Sequence, residues 1–271
     1  MSTFNGSRFI REQVDSILRQ THADFRLIIR DDGSVDDTTA ILKEYASADG
    51  RVSVLENSQA NSQANLGARR SFMHLVSISE APYFMLADQD DVWLPEKITK
   101  SFEKIEEMVR RYGEETPLLV FTDLQVVDEN LNEIHPSLWK YQRLDPTISS
   151  SWRNLLAQNV VTGCTIIANE AARRAALPFA WPGMMHDHWI AVNAARSGHV
   201  GFLDETTVLY RQHAANVEGS KNFGVAYAAD KTKGLRARFA EYQKAAAHFG
   251  GISVTGLMLR KINLNLKRFW L

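Results

Sequence analysis

Three short apolar runs constrain this chain most, because each stops at an acidic residue and each is separated from the next by a segment with helical spacing. Phe25 to Ile29 leads to Asp31-Asp32-Gly33-Ser34, Tyr83 to Leu86 leads to Asp88-Gln89-Asp90-Asp91, and Leu118 to Phe121 leads to Thr122-Asp123. Short unalternating runs read as strands covered on both faces. Between them, residues 7–20 place Phe9, Ile10, Val14, Ile17 and Leu18 on one helical face. A second helix opens near Asp36 or Asp37 and turns Ile41, Leu42 and Tyr45 inward. Val52 to Leu55 adds a strand, residues 66–79 look helical, and Pro95 starts a helix carrying Ile98, Phe102, Ile105 and Val109 at helical spacing. Such alternation builds an α/β fold with a mostly parallel central sheet flanked by helices.

Beyond Asp123 the rhythm loosens. Residues 128–150 are polar and hold Pro136 and Pro146, so loops are expected there. Thr165 to Ala168 reads as a strand, Asn169 as the cap of a short helix, and residues 188–197 as a helix closed by Gly198. Val200 to Leu203 and Thr207 to Tyr210 read as a late strand pair. A helical C-terminal tail follows, about 234–249 and 254–270, split by Gly250-Gly251. The tetrad Asn57-Ser58-Gln59-Ala60 recurs as Asn61-Ser62-Gln63-Ala64, a polar loop insertion to which no function attaches.

With 45% hydrophobic residues in 271, there is ample material for a core. Lys and Arg number 31 against 32 Asp and Glu, which argues against a dedicated nucleic-acid binder. Cys164 stands alone, so there is neither a disulfide framework nor a zinc-finger spacing. No stretch of about 18 apolar residues suggests a membrane span, and no apolar leader opens the chain, so a cytoplasmic protein is expected. The charge is unevenly spread. Residues 231–271 carry nine bases and the single acid Glu241, leaving the first 230 residues acidic. Phe269, Trp270 and Leu271 beside Lys267 and Arg268 suit the inner face of an anionic membrane; a solvated helix packed on the domain explains them equally well.

The acidic clusters fall where open α/β sheets bind ligands, outside the carboxyl ends of the strands. In Asp88-Gln89-Asp90 the carboxylates at i and i+2 project to one side and can share a hard divalent ion, which keeps positions for phosphate oxygens. A Mg or Mn ion serving a diphosphate ligand fits this pattern. Asp31 and Asp123, taken singly, are explained equally well as turn and cap residues.

Taken in order, Ser2-Thr3-Phe4-Asn5-Gly6, Asp31-Asp32-Gly33-Ser34, Asn65-Leu66-Gly67, Leu86 to Trp93, His186-Asp187-His188-Trp189 and Tyr210-Arg211-Gln212-His213 resemble the family 2 glycosyltransferases of GT-A fold, with rhamnosyltransferase-type members the most similar. The resemblance covers about residues 1–215. It implies a catalytic domain over 1–215, with a nucleotide-binding half to about 125 and an acceptor half from about 126, followed by a basic helical extension over 216–271. The implied activity is inverting, metal-dependent transfer of a sugar, rhamnose being one candidate, from a UDP- or dTDP-sugar. The implied acceptor is a glycan or lipid-linked molecule of surface polysaccharide synthesis. By position, Thr3, Asp32, Asp88 and Arg69 (or Arg70, either of which is otherwise a solvated base) match donor-binding residues. Asp88, Asp90 and His213 match the metal site, and Asp187 matches the catalytic base. Gly163, His188 and Trp189 fall in the acceptor region, and Trp93 and Trp189 are candidates for stacking on sugars or for packing.

Two departures stand out. The apolar first strand that such proteins carry ahead of Ser2-Thr3 is missing, so the start is expected to lie inside or after that strand, leaving adjoining backbone under-paired. Arg70-Ser71 also stands where Arg-Asn is expected. Two rival readings stay open. Phe84 to Val92 fits an aspartate-nucleophile phosphatase, with Asp88 attacking phosphorus and Asp90 as acid/base, although that motif normally opens its domain. A nucleotide-sugar-binding relative without turnover is the other.

Overall fold

The computed structural model describes residues 1–55, 65–181, 183–214 and 235–270. The polar tetrad repeat and the expected domain boundary at 215/216 lie outside the described residues.

The first unit comprises β1 (Ser2–Thr3), α1 (Ile10–Leu18), β2 (Leu27–Asp31), α2 (Thr38–Ala48) and β3 (Val52–Val54). Its strands pair in parallel in the order β1-β2-β3. The expected under-pairing beside β2 is not found along Ile28–Asp32. The Met1 backbone nitrogen donates to Ile28 O at 2.7 Å, while Arg30 N donates to Met1 O and Asp32 N to Thr3 O.

The second unit follows with α3 (Ala68–Ile78), β4 (Tyr83–Met85), β5 (Val92–Trp93), α4 (Lys97–Tyr112) and β6 (Leu118–Val127). Helix α4 buries Ile98, Ser101, Ile105 and Met108, keeps Arg110 and Arg111 in its last turn, and stops at Gly113, whose φ of 87° favours glycine. Then come β7 (Glu133–His135), α5 (Leu138–Gln142), α6 (Trp152–Ala157), β8 (Ile167–Asn169), α7 (Glu170–Ala176), α8 (His186–Ser197) and β9 (His199–Arg211). The second sheet runs β4-β8-β6-β9-β5, with β7 also on β6. Parallel character is held by the first three strands and the central β6–β9 pair; β4–β8, β6–β8, β5–β9 and β6–β7 are antiparallel.

Two expectations are corrected here. Residues 128–150 are not loops alone: β7, α5 and a 3₁₀ turn at Pro146–Ser150 lie within them. Ser137 caps α5 by accepting from Lys140 N, and Asp145 caps the turn by accepting from Thr147 N with Pro146 at its start. The late strand pair is a single 13-residue strand, β9, which absorbs Asp204-Glu205 through register shifts opposite Thr122–Gln125 rather than turning there. Asn169 does cap α7, accepting from Ala172 N.

Helices α9 (Leu235–Phe249) and α10 (Val254–Lys267) form the C-terminal hairpin. Phe249, Leu257 and Leu264 are buried in the same core as Trp181, Trp189 and Ile190, so the hairpin is packed on the domain. No helix among the described residues is long and apolar enough to cross a membrane.

Candidate active site

A cleft of about 1400 Å³ runs between the two units, lined by Thr3 and Phe4 after β1, Asp32 after β2, Asn65–Arg70 at the start of α3, Asp88–Asp90 after β4, and Gly163 and His186–His188 on the far wall.

Asp32 is buried, and both of its carboxylate oxygens are engaged. Oδ1 accepts from Arg30 Nη1 at 2.5 Å and Leu66 N at 2.8 Å; Oδ2 accepts from Gly67 N at 2.8 Å. It therefore holds the 65–67 turn against the end of β2. Arg30 Nη1 also donates to Ser71 Oγ, so the serine standing where asparagine was expected has a defined role. Thr3 is buried and donates to Asp31 Oδ1 at 3.0 Å, while Asp31 also accepts from Gly33 N and Ser34 N. Asp31 is thus a turn residue. Asp123 lies inside β6, at its register shift, rather than at a strand end, and is also structural, accepting from Leu124 N, Ser137 Oγ and Trp139 N. Arg69 and Arg70 are exposed at the rim of the cleft in the first turn of α3.

The turn Asp88–Asp91 concentrates negative charge. Burial, with Asp90 and then Asp187 adding repulsion, pushes the Asp88 carboxyl up to about 7. His213 Nε2 lies 2.8 Å from Asp90 Oδ2. Asp91 is fully buried, its carboxyl raised well above the usual range by burial and its acidic neighbours. Asp88, Asp91 and Cys164 present ligand atoms within 4.8 Å of one another. The buried Lys97 ammonium, lowered to about 8 by burial, acts electrostatically on Asp91 and Cys164, which opposes a cation on that inner side. On the cleft side, Asp88 has acids as its chief electrostatic neighbours, and two hard carboxylates with an imidazole nearby fit a hard divalent ion. Asp88 and Asp90 would hold it. In this geometry the Nε2 of His213 is spent on Asp90, so His213 orients that carboxylate.

Across the cleft, Asp187 sits in the first turn of α8. Its Oδ1 accepts from His188 N at 2.6 Å, and Asn159 Nδ2 approaches Oδ2 at 3.4 Å. His186 is buried and stacked on Phe72 with ring centroids 4.2 Å apart, and burial lowers its pKa to about 3, so it is neutral. Gly163 matters here: a Cβ on it would meet His186 Nε2 at 3.0 Å and Asp187 Cβ at 3.6 Å. His188 lines the cleft, but Leu155 O lies 2.7 Å from its Nε2, the ring kept neutral by burial with a pKa of about 4. Of the two readings open for the tryptophans, the packing one holds. Trp189 is 2% exposed, donates Nε1–H to Ala176 O and packs against Phe179 and Phe249; it does not line the cleft. Trp93 is buried too, with the Lys97 ammonium 4.7 Å from its ring centroid. Both indoles are core.

Several supporting residues escaped the sequence reading. Gln13 and Ser16, on the α1 face read only as apolar, and Gln20, two residues past the end of α1, are buried and grip residues 88–98 from behind. Gln13 Nε2 donates to Asp88 O, Ser16 Oγ accepts from Trp93 N, and Gln20 donates to Leu94 O while accepting from Ile98 N. Their i, i+3, i+7 spacing was the available signal. Gln89 accepts from Phe4 N at 2.7 Å and donates to Phe4 O at 3.0 Å, tying the acidic turn to the 4–6 loop. Arg211 is 2% exposed and donates to Asp90 O, Glu129 O and Glu12 Oε2, stapling the end of β9 to the acidic turn.

The parallel strands of the first unit, the acidic turn after β4 and a carboxylate facing that turn thus meet at one cleft. The model of Glycosyl transferase family 2 matches residues 1–174. The chain belongs to that family and is a glycosyltransferase, which sets aside the phosphatase reading of Asp88. Among curated relatives, the dTDP-rhamnosyl transferase RfbG of Shigella flexneri is 26% identical over 232 residues, covering 81% of this chain and 74% of that one. Other curated relatives are spanned over only 48% and 58% of their own length. Among solved structures, the mannosyltransferase PcManGT from Pyrobaculum calidifontis, in complex with GDP-Man and Mn2+, matches 99% of this chain and 69% of its own at a TM-score of 0.63 and 13% identity. S. aureus TarS 1-349 in complex with UDP-GlcNAc matches 99% and 71% at a TM-score of 0.58 and 16% identity. These likenesses establish the GT-A fold.

Proposed function

We propose that this protein is an inverting, metal-dependent glycosyltransferase that moves a sugar, with rhamnose the leading candidate, from a UDP- or dTDP-sugar to a glycan or lipid-linked acceptor of surface polysaccharide at the cytoplasmic face of the membrane. The observation that carries the reading is the disposition of carboxylates: Asp88 and Asp90 on one wall of the cleft, with Asp187 close enough across it to raise the Asp88 pKa. The rhamnosyl donor is supported by the likeness to a dTDP-rhamnosyl transferase, and the metal by the Mn2+ in one structural relative.

In this reading Thr3 and Asp32 border the nucleoside, and Arg69 or Arg70 meets the diphosphate at the start of α3. Asp88 and Asp90 would hold a divalent ion, which would supply Lewis-acid stabilisation of the leaving diphosphate. His213 keeps Asp90 turned toward the cleft. Asp187, oriented by the His188 backbone and Asn159, accepts the proton of the acceptor hydroxyl as that oxygen attacks the anomeric carbon. The bond to the diphosphate breaks on the opposite face, so the anomeric centre inverts without a covalent enzyme intermediate.

The test is calorimetry with UDP and dTDP, with and without Mn²⁺, on wild type, Asp90→Ala and Asp187→Asn. Metal-dependent nucleotide binding that Asp90→Ala abolishes and Asp187→Asn keeps is expected, with donor turnover lost in both. Binding without turnover of any donor in the wild type would instead identify a binding relative without catalysis.

A further inference from the structure

The C-terminal hairpin presents two unlike faces. Helix α10 buries Leu257 and Leu264 toward α6 and α9, and Arg268 anchors its end by donating to the Gln142 and Arg143 carbonyls. At 100° per residue, Leu259, Ile262 and Leu266 fall together on the side opposite that buried seam. All three are more than half exposed, Phe269 extends the stripe, and Trp270 beyond it is 92% exposed. A soluble surface gains nothing from a continuous aliphatic and aromatic stripe of this kind, which marks a contact face.

The charge beside the stripe decides what it contacts. Residues 242–271 contain Lys244, Arg260, Lys261, Lys267 and Arg268 and no acid. Arg260 and Lys267 are exposed on one side of the stripe, with exposed Asn263 between, and Arg260 reaches Asn154 Oδ1 at 2.9 Å. An apolar face edged by bases, with a terminal tryptophan, complements a surface that is anionic at its rim and apolar just beneath. The stripe lies along the helix rather than filling its circumference, and no described helix can span a membrane, so the contact is peripheral.

We infer that the outer face of α10, formed by Leu259, Ile262, Leu266, Phe269 and Trp270 and flanked by Arg260 and Lys267, docks on an anionic phospholipid bilayer. The companion helix α9 supplies Glu241, Tyr242 and Ala245 to the wall of the catalytic cleft. Docking of α10 therefore sets the cleft one helix away from the bilayer. That consequence deepens the transferase reading, and rests on it, by making a lipid-linked acceptor the substrate this enzyme meets. The docking itself needs neither donor nor metal.

The experiment is co-sedimentation of the full chain with phosphatidylcholine vesicles and with vesicles containing about one-third phosphatidylglycerol, at low and high salt. It compares wild type, the triple variant Leu259→Gln/Ile262→Gln/Leu266→Gln, Arg260→Gln/Lys267→Gln, and Trp270→Ser. Expected are binding at least about tenfold stronger to the anionic vesicles, loss of about tenfold or more in the triple variant, and loss of the anionic preference in the charge variant. Trp270→Ser, at a side chain too exposed to support the fold, weakens binding with an unchanged circular dichroism melt. Failure of the wild type to bind anionic vesicles at low salt, or equal binding by the triple variant, overturns the proposal. A dimeric mass that becomes monomeric in the triple variant, without vesicle binding, also overturns it and assigns the stripe to a second copy. Because no nucleotide is present, failure of docking and failure of the transferase reading are read separately.

Discussion

Gly6→Ala probes whether the acidic turn and the 4–6 loop are one mechanical unit. A Cβ at Gly6 would stand 2.5 Å from Gln89 Oε1 and 2.7 Å from Gln89 Cδ. Ordinary carbon contacts lie at about 3.5–4.0 Å, so the amide must retreat by roughly 1 Å. It has nowhere to go without releasing Phe4, to which it both donates and accepts. Each such bond contributes about 0.5–1.5 kcal/mol net, and these lie at the rim, so the loss is about 1–2 kcal/mol. For a chain of this size that is a melting shift of roughly 2–4 °C. The discriminating assay is a double-mutant cycle with Gln89→Ala, read by thermal melts and by nucleotide titration. In the Gln89→Ala background the added methyl meets no amide, so Gly6→Ala should lie within about 0.5 kcal/mol of neutral. Equal destabilisation in both backgrounds would refute the clash as the cause. Unchanged nucleotide affinity in the destabilised single variant would separate the loop from the donor site.

Asp32→Asn leaves one of the three donors now on the carboxylate facing an NH₂ group; a loss of about 2–4 kcal/mol in urea unfolding, with weaker nucleotide binding, is expected. His186, with a folded pKa of about 3 against about 6.5 when unfolded, stabilises fully above about pH 6.5. That contribution falls as pH drops toward the folded value, by up to about 1.4 kcal/mol per unit. Urea midpoints for wild type and His186→Phe should therefore converge from pH 7 to 5, and parallel profiles would contradict a buried neutral ring. The raised pKa of Asp88 has the opposite sense for a cation, since a proton occupies the carboxyl below about 7. Apparent Mn²⁺ affinity should rise close to tenfold per unit up to about pH 7 and then level, whereas Asp88→Asn should lack the slope.

The acidic turns after β2 and β4 were legible in the sequence because carboxylates follow directly on short apolar runs that read as strands; the third was not, since β6 runs on through Asp123 to Val127. Helix α4 was legible for a similar reason, with a proline at one end and a glycine at the other. What sequence reading lost depends on partners distant along the chain. Gln13, Ser16 and Gln20 look like ordinary helix polars until their bonds to residues 88–98 are seen. Trp189 could be read as stacking on a sugar or as packing, and two residues along a helix from Asp187 is a turn of about 200°, which sends the indole into the core. The late strands Val200–Leu203 and Thr207–Tyr210 were read as a pair because the polar residues between them, which the structure absorbs in a bulge, have the composition of a turn. The short elements at 133–150 hid in a polar stretch whose order comes from caps and from buried Asp123.

The pairing of β5 with β9, Val92 against Leu209 and Trp93 against Val208, joins the exit of the acidic turn to the approach of Arg211 and His213. These are the least separable parts of the molecule. Sliding β9 by one residue would reverse which side chains face inward and withdraw both Arg211 and His213 from Asp90 at a stroke. A lineage could lengthen the chain beyond His213 and keep its chemistry, but a one-residue insertion between Val208 and Arg211 would erase it. Through descent, segments 88–93 and 208–213 must therefore be inherited as a matched pair, like a lock cut together with its key, although more than a hundred residues lie between them.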